Sequence, residues 1–191
     1  MYAIKDVTIR GFNEVVQTIK GVAEKYTEQE HYITFVTFNS NGIKTHLDRM
    51  PVQTLNEIDG NHYQPEGMTP LFDAMGESFS YLRKVTDTQP DSNVLVTILT
   101  DGEENSSREY NGRTIKAIID ELKEKNWTFT YIGANHDVEK FAISISIENT
   151  LSYQANEADM DAMFSKEKHA REMYSADIRE KKDVKKNYFK K

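Results

Sequence analysis

Apolar positions recur along this chain in two rhythms, and the alternation between them predicts its architecture. Ile9, Phe12, Val16, Ile19, Ala23 and Tyr26 are spaced by threes and fours, which predicts an opening amphipathic helix. The β-rich run from His31 to Phe38, the turn-forming Asn39-Ser40-Asn41-Gly42 and a second run near Ile43–Leu47 predict an antiparallel hairpin. Pro51 to Gly67 is polar and irregular, with one short helical turn expected around Leu55–Ile58. Leu71, Met75, Phe79 and Leu82 mark a helix from Pro70 to about Val85, and a polar link, Thr86–Asn93, leads into Val94–Leu99. That last run is continuously apolar, as in a strand covered on both faces. Thr114, Ile115, Ile118, Ile119 and Leu122 predict a further helix, Trp127–Gly133 a parallel strand, Asp137–Ile143 a short helix and Thr150–Tyr153 a final edge strand. From Glu157 onward, Met160, Met163, Phe164 and Tyr174 anchor a helix expected to pack at first and then become solvated. Alternating strands and helices imply an α/β domain built on a parallel sheet.

Two stretches bring candidate chemistry to one end of that sheet. Val94–Leu99 stops at Thr100-Asp101-Gly102-Glu103, and ligands of parallel sheets sit beyond the carboxyl ends of their strands, where Asp101 stands. In Glu66-Gly67-Met68-Thr69-Pro70-Leu71, Thr69 is expected at a helix N-cap with Pro70 at the first helical position, which fixes a hydroxyl at the helix start. Each motif alone is a common cap or turn; together, in this order, they are more specific. Asp73, in the first helical turn, reads most simply as offsetting the helix dipole. Asn39, at a strand end, either borders the rim or forms the turn. Histidines 31, 46, 62, 136 and 169 have no metal-ligand spacing.

Gly67-Met68-Thr69-Pro70-Leu71, about thirty residues ahead of Ile98-Leu99-Thr100-Asp101-Gly102, resembles the von Willebrand factor A (vWA) domain in its intracellular bacterial or phage form. The resemblance covers roughly residues 1–155. It implies a doubly wound, mostly parallel, Rossmann-like sheet with one antiparallel edge strand, followed by a charged helical extension over 156–191. It also implies a metal-ion-dependent adhesion site (MIDAS) for Mg²⁺ or Mn²⁺, with Thr69 a direct ligand and Asp101 acting through water. One position would stay open for a carboxylate of a partner protein. Glu103 and Glu104 are expected as rim charges. Such hard cations prefer oxygen ligands and keep several waters, which suits hydroxyls and few acids. ATPase-coupled or assembly roles are typical of intracellular relatives.

The family's Asp-x-Ser-x-Ser loop, which ends its first strand, is not in this sequence. Bacterial relatives read Asp-x-Ser-Gly-Ser-Met just before such a helix, so the resemblance identifies Met1 with that methionine and places the native start upstream. It also implies an N-terminally truncated sheet whose first strand is missing between Tyr32–Phe38 and Val94–Leu99. Tight metal binding is therefore not expected of these residues, whereas strand-mediated self-association is.

Composition narrows the alternatives. The 191 residues suit one α/β domain plus a tail, and no apolar run is long enough to span a membrane. The absence of cysteine excludes disulfides, zinc thiolates and thiol nucleophiles, and is compatible with a reducing cytoplasm. The total charge is −7; residues 166–191 hold ten Lys/Arg against five Asp/Glu, a formal +5 that leaves −12 on residues 1–165. Because the tail's cations alternate with acids, it reads as an exposed helix face rather than a nucleic-acid footprint. No P-loop, Gly-x-Ser-x-Gly elbow or Gly-x-Gly-x-x-Gly turn occurs. The resemblance implies a protein-binding module without enzymatic activity; the alternative is a Mg²⁺-dependent phosphoesterase built on the Asp101 carboxylate cluster.

Overall fold

Residues 2–89 and 91–190 are described by a computed structural model. In chain order it contains α1 (Lys5–Lys25), β1 (Tyr32–Asn39), β2 (Gly42–Pro51), α2 (Leu71–Thr86), β3 (Val94–Thr100), α3 (Gly112–Lys123), β4 (Trp127–Gly133), α4 (Val138–Ser144), β5 (Asn149–Ser152) and α5 (Glu157–Arg179). Short 3₁₀ turns lie at Tyr2–Ile4, Val52–Thr54 and Tyr188–Lys190. Met1, identified above with the motif's methionine, and Pro90 of the Thr86–Asn93 link lie outside the described residues.

The apolar runs become the parallel sheet β3-β4-β5, in register from Val94↔Trp127 to Thr100↔Gly133. Every residue of β4 is buried, as a central strand with helices on both faces requires. Its side chains alternate between two cores. Trp127, Phe129 and Tyr131 pack with Phe79 of α2 and with Ile115, Ile119 and Leu122 of α3. Ile132 packs with Met160, Met163 and Phe164 of α5. Polar side chains set where helices begin: Asn111 accepts from Thr114 N–H at α3, Asp137 from Lys140 N–H at α4, and Asn156 from Asp159 N–H at α5.

The hairpin β1-β2 forms a second, two-stranded antiparallel sheet. Among the described residues the strands form two sheets, and β1 and β3, between which the resemblance leaves a strand missing, exchange no ladder hydrogen bonds. β2 also runs to Pro51, beyond the expected Leu47, and the helical turn expected near Leu55–Ile58 forms at Val52–Thr54 instead. Helices tie the two sheets together. Val15 of α1 packs on the core under the hairpin, with Val16, Ile19 and Val52, and on the core under β4 and β5. On the opposite face, Phe38 of β1 packs against the core formed by α2, α3 and β4.

α5 packs along α1, and Gly11 lets it approach closely: a Cβ there would lie 2.1 Å from the Phe164 ring. The expectation that the tail ends in solvent does not hold. Tyr174, Val184 and Tyr188 form a small core, and the Asn149 side chain of β5 donates to Lys185 C=O and accepts from Tyr188 N–H. Charge density in the sequence hid these anchors, because the tail's lysines turn outward to acids: Lys186 lies 3.2 Å from Glu148 and Lys182 2.6 Å from Glu180.

Candidate functional site

At the carboxyl end of β3 the chain makes a long loop, residues 101–111, which folds back over the start of α2. The first turn of a helix leaves backbone N–H groups without intrahelical partners, and this loop supplies acceptors for them. Phe72 N–H donates to Glu104 Oε2 at 2.9 Å and Asp73 N–H to Ser107 Oγ at 3.0 Å. In return the Asp73 carboxylate, only 8% exposed, accepts from the N–H groups of Arg108, Glu109 and Tyr110 at 2.8–2.9 Å. Asp73 thus holds the loop as well as standing in the helix's first turn. Burial opposes its ionisation, but these three N–H donors outweigh burial and hold its carboxyl below the usual carboxylate range.

Glu104 is committed to the same joint. Its Oε1 accepts from Ser106 and Ser107 N–H, and its Oε2 accepts from Ser107 Oγ as well as Phe72 N–H. Burial again opposes ionisation, and the Ser107, Phe72 and Ser106 donors again prevail, lowering its pKa. Glu103, next in sequence, is exposed on the rim.

The joint brings Thr69 to the turn that follows β3. Thr69 N–H donates to Asn105 Oδ1 at 2.8 Å while Asn105 N–H donates to Thr69 C=O at 3.2 Å, so residues 69 and 105 are bracketed by two bonds. Thr69 Oγ1 then lies 3.5 Å from where a Cβ on Gly102 would stand, beside Asp101. Thr100, buried at the strand end, shapes this turn: its Oγ1 accepts from Gly102 N–H and donates to Gly102 C=O. Asn135, after β4, donates to Asp101 C=O at 3.1 Å. The helix itself starts one residue later than the sequence implied. Pro70 occupies the N-cap and no side chain of its own caps α2, so capping falls to Glu104 and Ser107 instead of the Thr69 hydroxyl.

The hairpin turn rises to the same rim. Ser40 Oγ accepts from Met68 N–H at 2.6 Å, and Gly67 adopts a left-handed φ of +70° with Ser40 Oγ at 2.0 Å from any added Cβ. Both facts demand glycine there. Asn39 serves the turn: Oδ1 accepts from Asn41 N–H and Nδ2 donates to Gln64 C=O. Asn41 Nδ2 donates to Glu66 Oε1.

The rim therefore brings the Thr69 hydroxyl to the Asp101-Gly102 turn, and hydroxyl and carboxylate oxygens are hard donors of the type Mg²⁺ and Mn²⁺ prefer. They fit such an ion in kind and fall short of it in number. Among the described residues no group of three or more His, Cys, Asp or Glu is placed to hold a metal, so water or a partner would complete the shell. The residues that sequence reasoning missed are Ser40, Asn105, Ser107 and Asn135, whose bonds span 28 to 36 positions and leave no local pattern. Among the described residues no helix is long and apolar enough to cross a membrane.

No curated protein matches the chain. The sequence model of the von Willebrand factor type A domain matches residues 5–172, from the first turn of α1 into α5. With the match spanning most of the sequence, the chain belongs to the von Willebrand factor type A domain family.

Proposed function

We propose that this chain is a protein-binding module, not an enzyme, whose partner docks on the rim formed by the ends of β1 and β3 and the start of α2. In this reading Thr69 is a direct oxygen ligand of Mg²⁺ or Mn²⁺, Asp101 acts on the ion through water, and a carboxylate of the partner takes an open position. Bound there, the ion supplies positive charge that bridges two acidic surfaces. The chain's own part is to hold the Thr69 hydroxyl against the Asp101 turn, and to keep Glu104 and Asp73 occupied with backbone donors so that they do not compete for the ion. The observation that carries this reading is the two-bond bracket between Thr69 and Asn105, with Thr69 Oγ1 against Gly102. Glu103, Glu66 and the exposed Met68, at 52% exposure, give the rim an acidic border with one apolar contact point. The lack of cysteine suits a reducing cytoplasm.

Calorimetry with Mg²⁺ and Mn²⁺ tests this reading. Weak binding is expected, because among the described residues no group of three or more acids or histidines is placed to hold an ion, and Thr69→Ala and Asp101→Ala should each remove it. Tight binding that survives Thr69→Ala would refute the ligand assignment. A phosphomonoester assay run alongside decides the enzymatic alternative: turnover abolished by Asp101→Ala would replace docking with hydrolysis.

A further inference from the structure

Four glycines in this chain directly follow an asparagine or aspartate: Gly42, Gly60, Gly102 and Gly112. Such a pair has its own chemistry, because glycine puts no Cβ in the way when its backbone nitrogen turns onto the side-chain carbonyl carbon of the residue before it. Attack there closes a five-membered succinimide ring. What decides between the four pairs is how firmly the two groups are held apart.

Three of them are held. Asn111 is the N-cap of α3, and its Oδ1 accepts from Thr114 N–H at 3.1 Å and from Thr114 Oγ1 at 3.3 Å. Gly112 stands in the first turn of that helix, where a Cβ would lie 3.4 Å from the Phe72 ring. Turning the Asn111 side chain onto Gly112 means giving up the cap. Gly102 N–H donates to Thr100 Oγ1, which occupies the nitrogen that would attack Asp101. The Asp59 carboxylate accepts from Asn61 N–H at 2.8 Å and lies 2.7 Å from His62 Nδ1; both contacts lower its pKa, and an ionised carboxylate is a poor electrophile.

Asn41-Gly42 stands apart. Both residues are exposed at the turn between β1 and β2, and nothing lies within 4 Å of where a Cβ on Gly42 would be. Asn39↔Gly42 is the last rung of the hairpin ladder, and strand ends are where a ladder opens first. Among the described residues the Asn41 amide group has one tether, the bond from Nδ2 to Glu66 Oε1. That bond holds the nitrogen that leaves, not the carbon that is attacked.

We propose that Asn41 is a site of spontaneous deamidation that becomes a carboxylate as the protein ages. The Gly42 nitrogen bonds to Asn41 Cγ, the Cγ–Nδ2 bond breaks, and the Gly42 amide proton passes through water to the departing nitrogen, which leaves as ammonia. A water molecule then opens the ring. Adding at Cγ, it restores the backbone and leaves aspartate; adding at the Asn41 backbone carbonyl carbon, it leaves isoaspartate, with the main chain running through Cγ. One water is consumed and one ammonia released, and no oxidant or cofactor takes part.

The consequence falls on the rim. A donor facing Glu66 becomes a second carboxylate, so attraction turns into repulsion, and isoaspartate also lengthens the main chain at the turn. Ser40, the neighbouring residue, accepts Met68 N–H and packs against Gly67. The modification therefore loosens the 66–68 segment, which leads into Thr69, from the hairpin. It does so whatever docks at the rim.

The test ages the full chain at mildly alkaline pH and maps its peptides by mass spectrometry, with fragmentation that separates aspartate from isoaspartate. The peptide holding Asn41 should convert first, at least about fivefold faster than the one holding Asn111, the factor that a cap bond is worth. The rate should rise with pH, because the attacking nitrogen must lose its proton. Asn41→Gln, whose ring would need six members, should keep its amide through the same ageing. Asn41→Asp, the product without ageing, should speed exchange of the Met68 amide about fivefold or more, as the loss of one hydrogen bond predicts, while the amides of β4 keep their protection. Three outcomes overturn the proposal: Asn41 converts no faster than Asn111, it converts only once the chain is unfolded, or Asn41→Asp leaves Met68 exchange as it was.

Discussion

The two sheets of this domain face the same helices yet stand on different physical footings. β4 is buried along its whole length, and its aromatic residues interlock with α2 and α3: the Phe79 and Phe129 rings meet edge to face at 5.4 Å. The hairpin β1-β2 has no fully buried residue, and its ladder is irregular between Ile33 and Val36. Its Phe35 leans on Phe12 of α1 with ring centroids 4.5 Å apart, a contact at the margin of the core. A parallel sheet between two helix layers carries the domain's stability, and the hairpin borrows its own from the helices it touches.

That contrast is sharpest in core truncations. Phe129→Ala should cost about 3–5 kcal/mol, as expected for a fully buried aromatic residue, whereas Phe35→Ala should cost about 1–2 kcal/mol because its ring is only partly buried. Urea denaturation read by tryptophan fluorescence measures both, and equal losses would show that the sheets form one cooperative core.

The rim joint comes next in size. Asp73→Ala strands three backbone N–H groups in a nearly buried place and should cost about 3 kcal/mol, and Asp73→Asn should recover part of that loss. Gly11→Ala, which drives a methyl into the Phe164 ring, should cost about 1–3 kcal/mol and loosen α5 from α1, seen as faster amide exchange in both helices. A loss with unchanged exchange would place the strain elsewhere.

The joint also predicts a pH dependence. Asp73 and Glu104 both have folded pKa values below their ordinary ones, so their contribution is complete above the ordinary carboxylate range and is lost as pH falls through the lowered folded values. Acid unfolding of the wild type should therefore steepen below the usual carboxylate range, and Asp73→Asn should flatten that limb. The smallest effect on stability is expected at Thr69. Because its hydroxyl does not cap α2, Thr69→Ala should shift stability by no more than about 0.5 kcal/mol. A loss near 1 kcal/mol or more would mean the hydroxyl caps the helix after all.

Elements with a strong internal rhythm were legible in the sequence. Val94–Leu99 and Trp127–Gly133 announce strands through unbroken apolar, β-branched and aromatic runs, although only β4 is buried along its whole length, and Thr69 and Asp101 stand out because a helix start and a strand end each have a local signature. The loop that joins them had none. Asn105, Ser107 and Ser40 act through single hydrogen bonds to residues 28 to 36 positions away, and such bonds follow from the fold, not from spacing. Tyr188 was hidden for the opposite reason: one buried ring among lysines carries less pattern than the charges around it, although it is 1% exposed.

The pairing of Thr69 with Asp101 as a cation site is tested most directly by Mn²⁺ titration followed by amide NMR, which detects even millimolar binding through paramagnetic broadening. The amides of Thr69, Asp101, Gly102 and Asn105 should broaden first, and Thr69→Ala and Asp101→Ala should each abolish that pattern while leaving the rest of the spectrum unchanged. Broadening that starts elsewhere, or that persists at the rim in Asp101→Ala, would contradict the account.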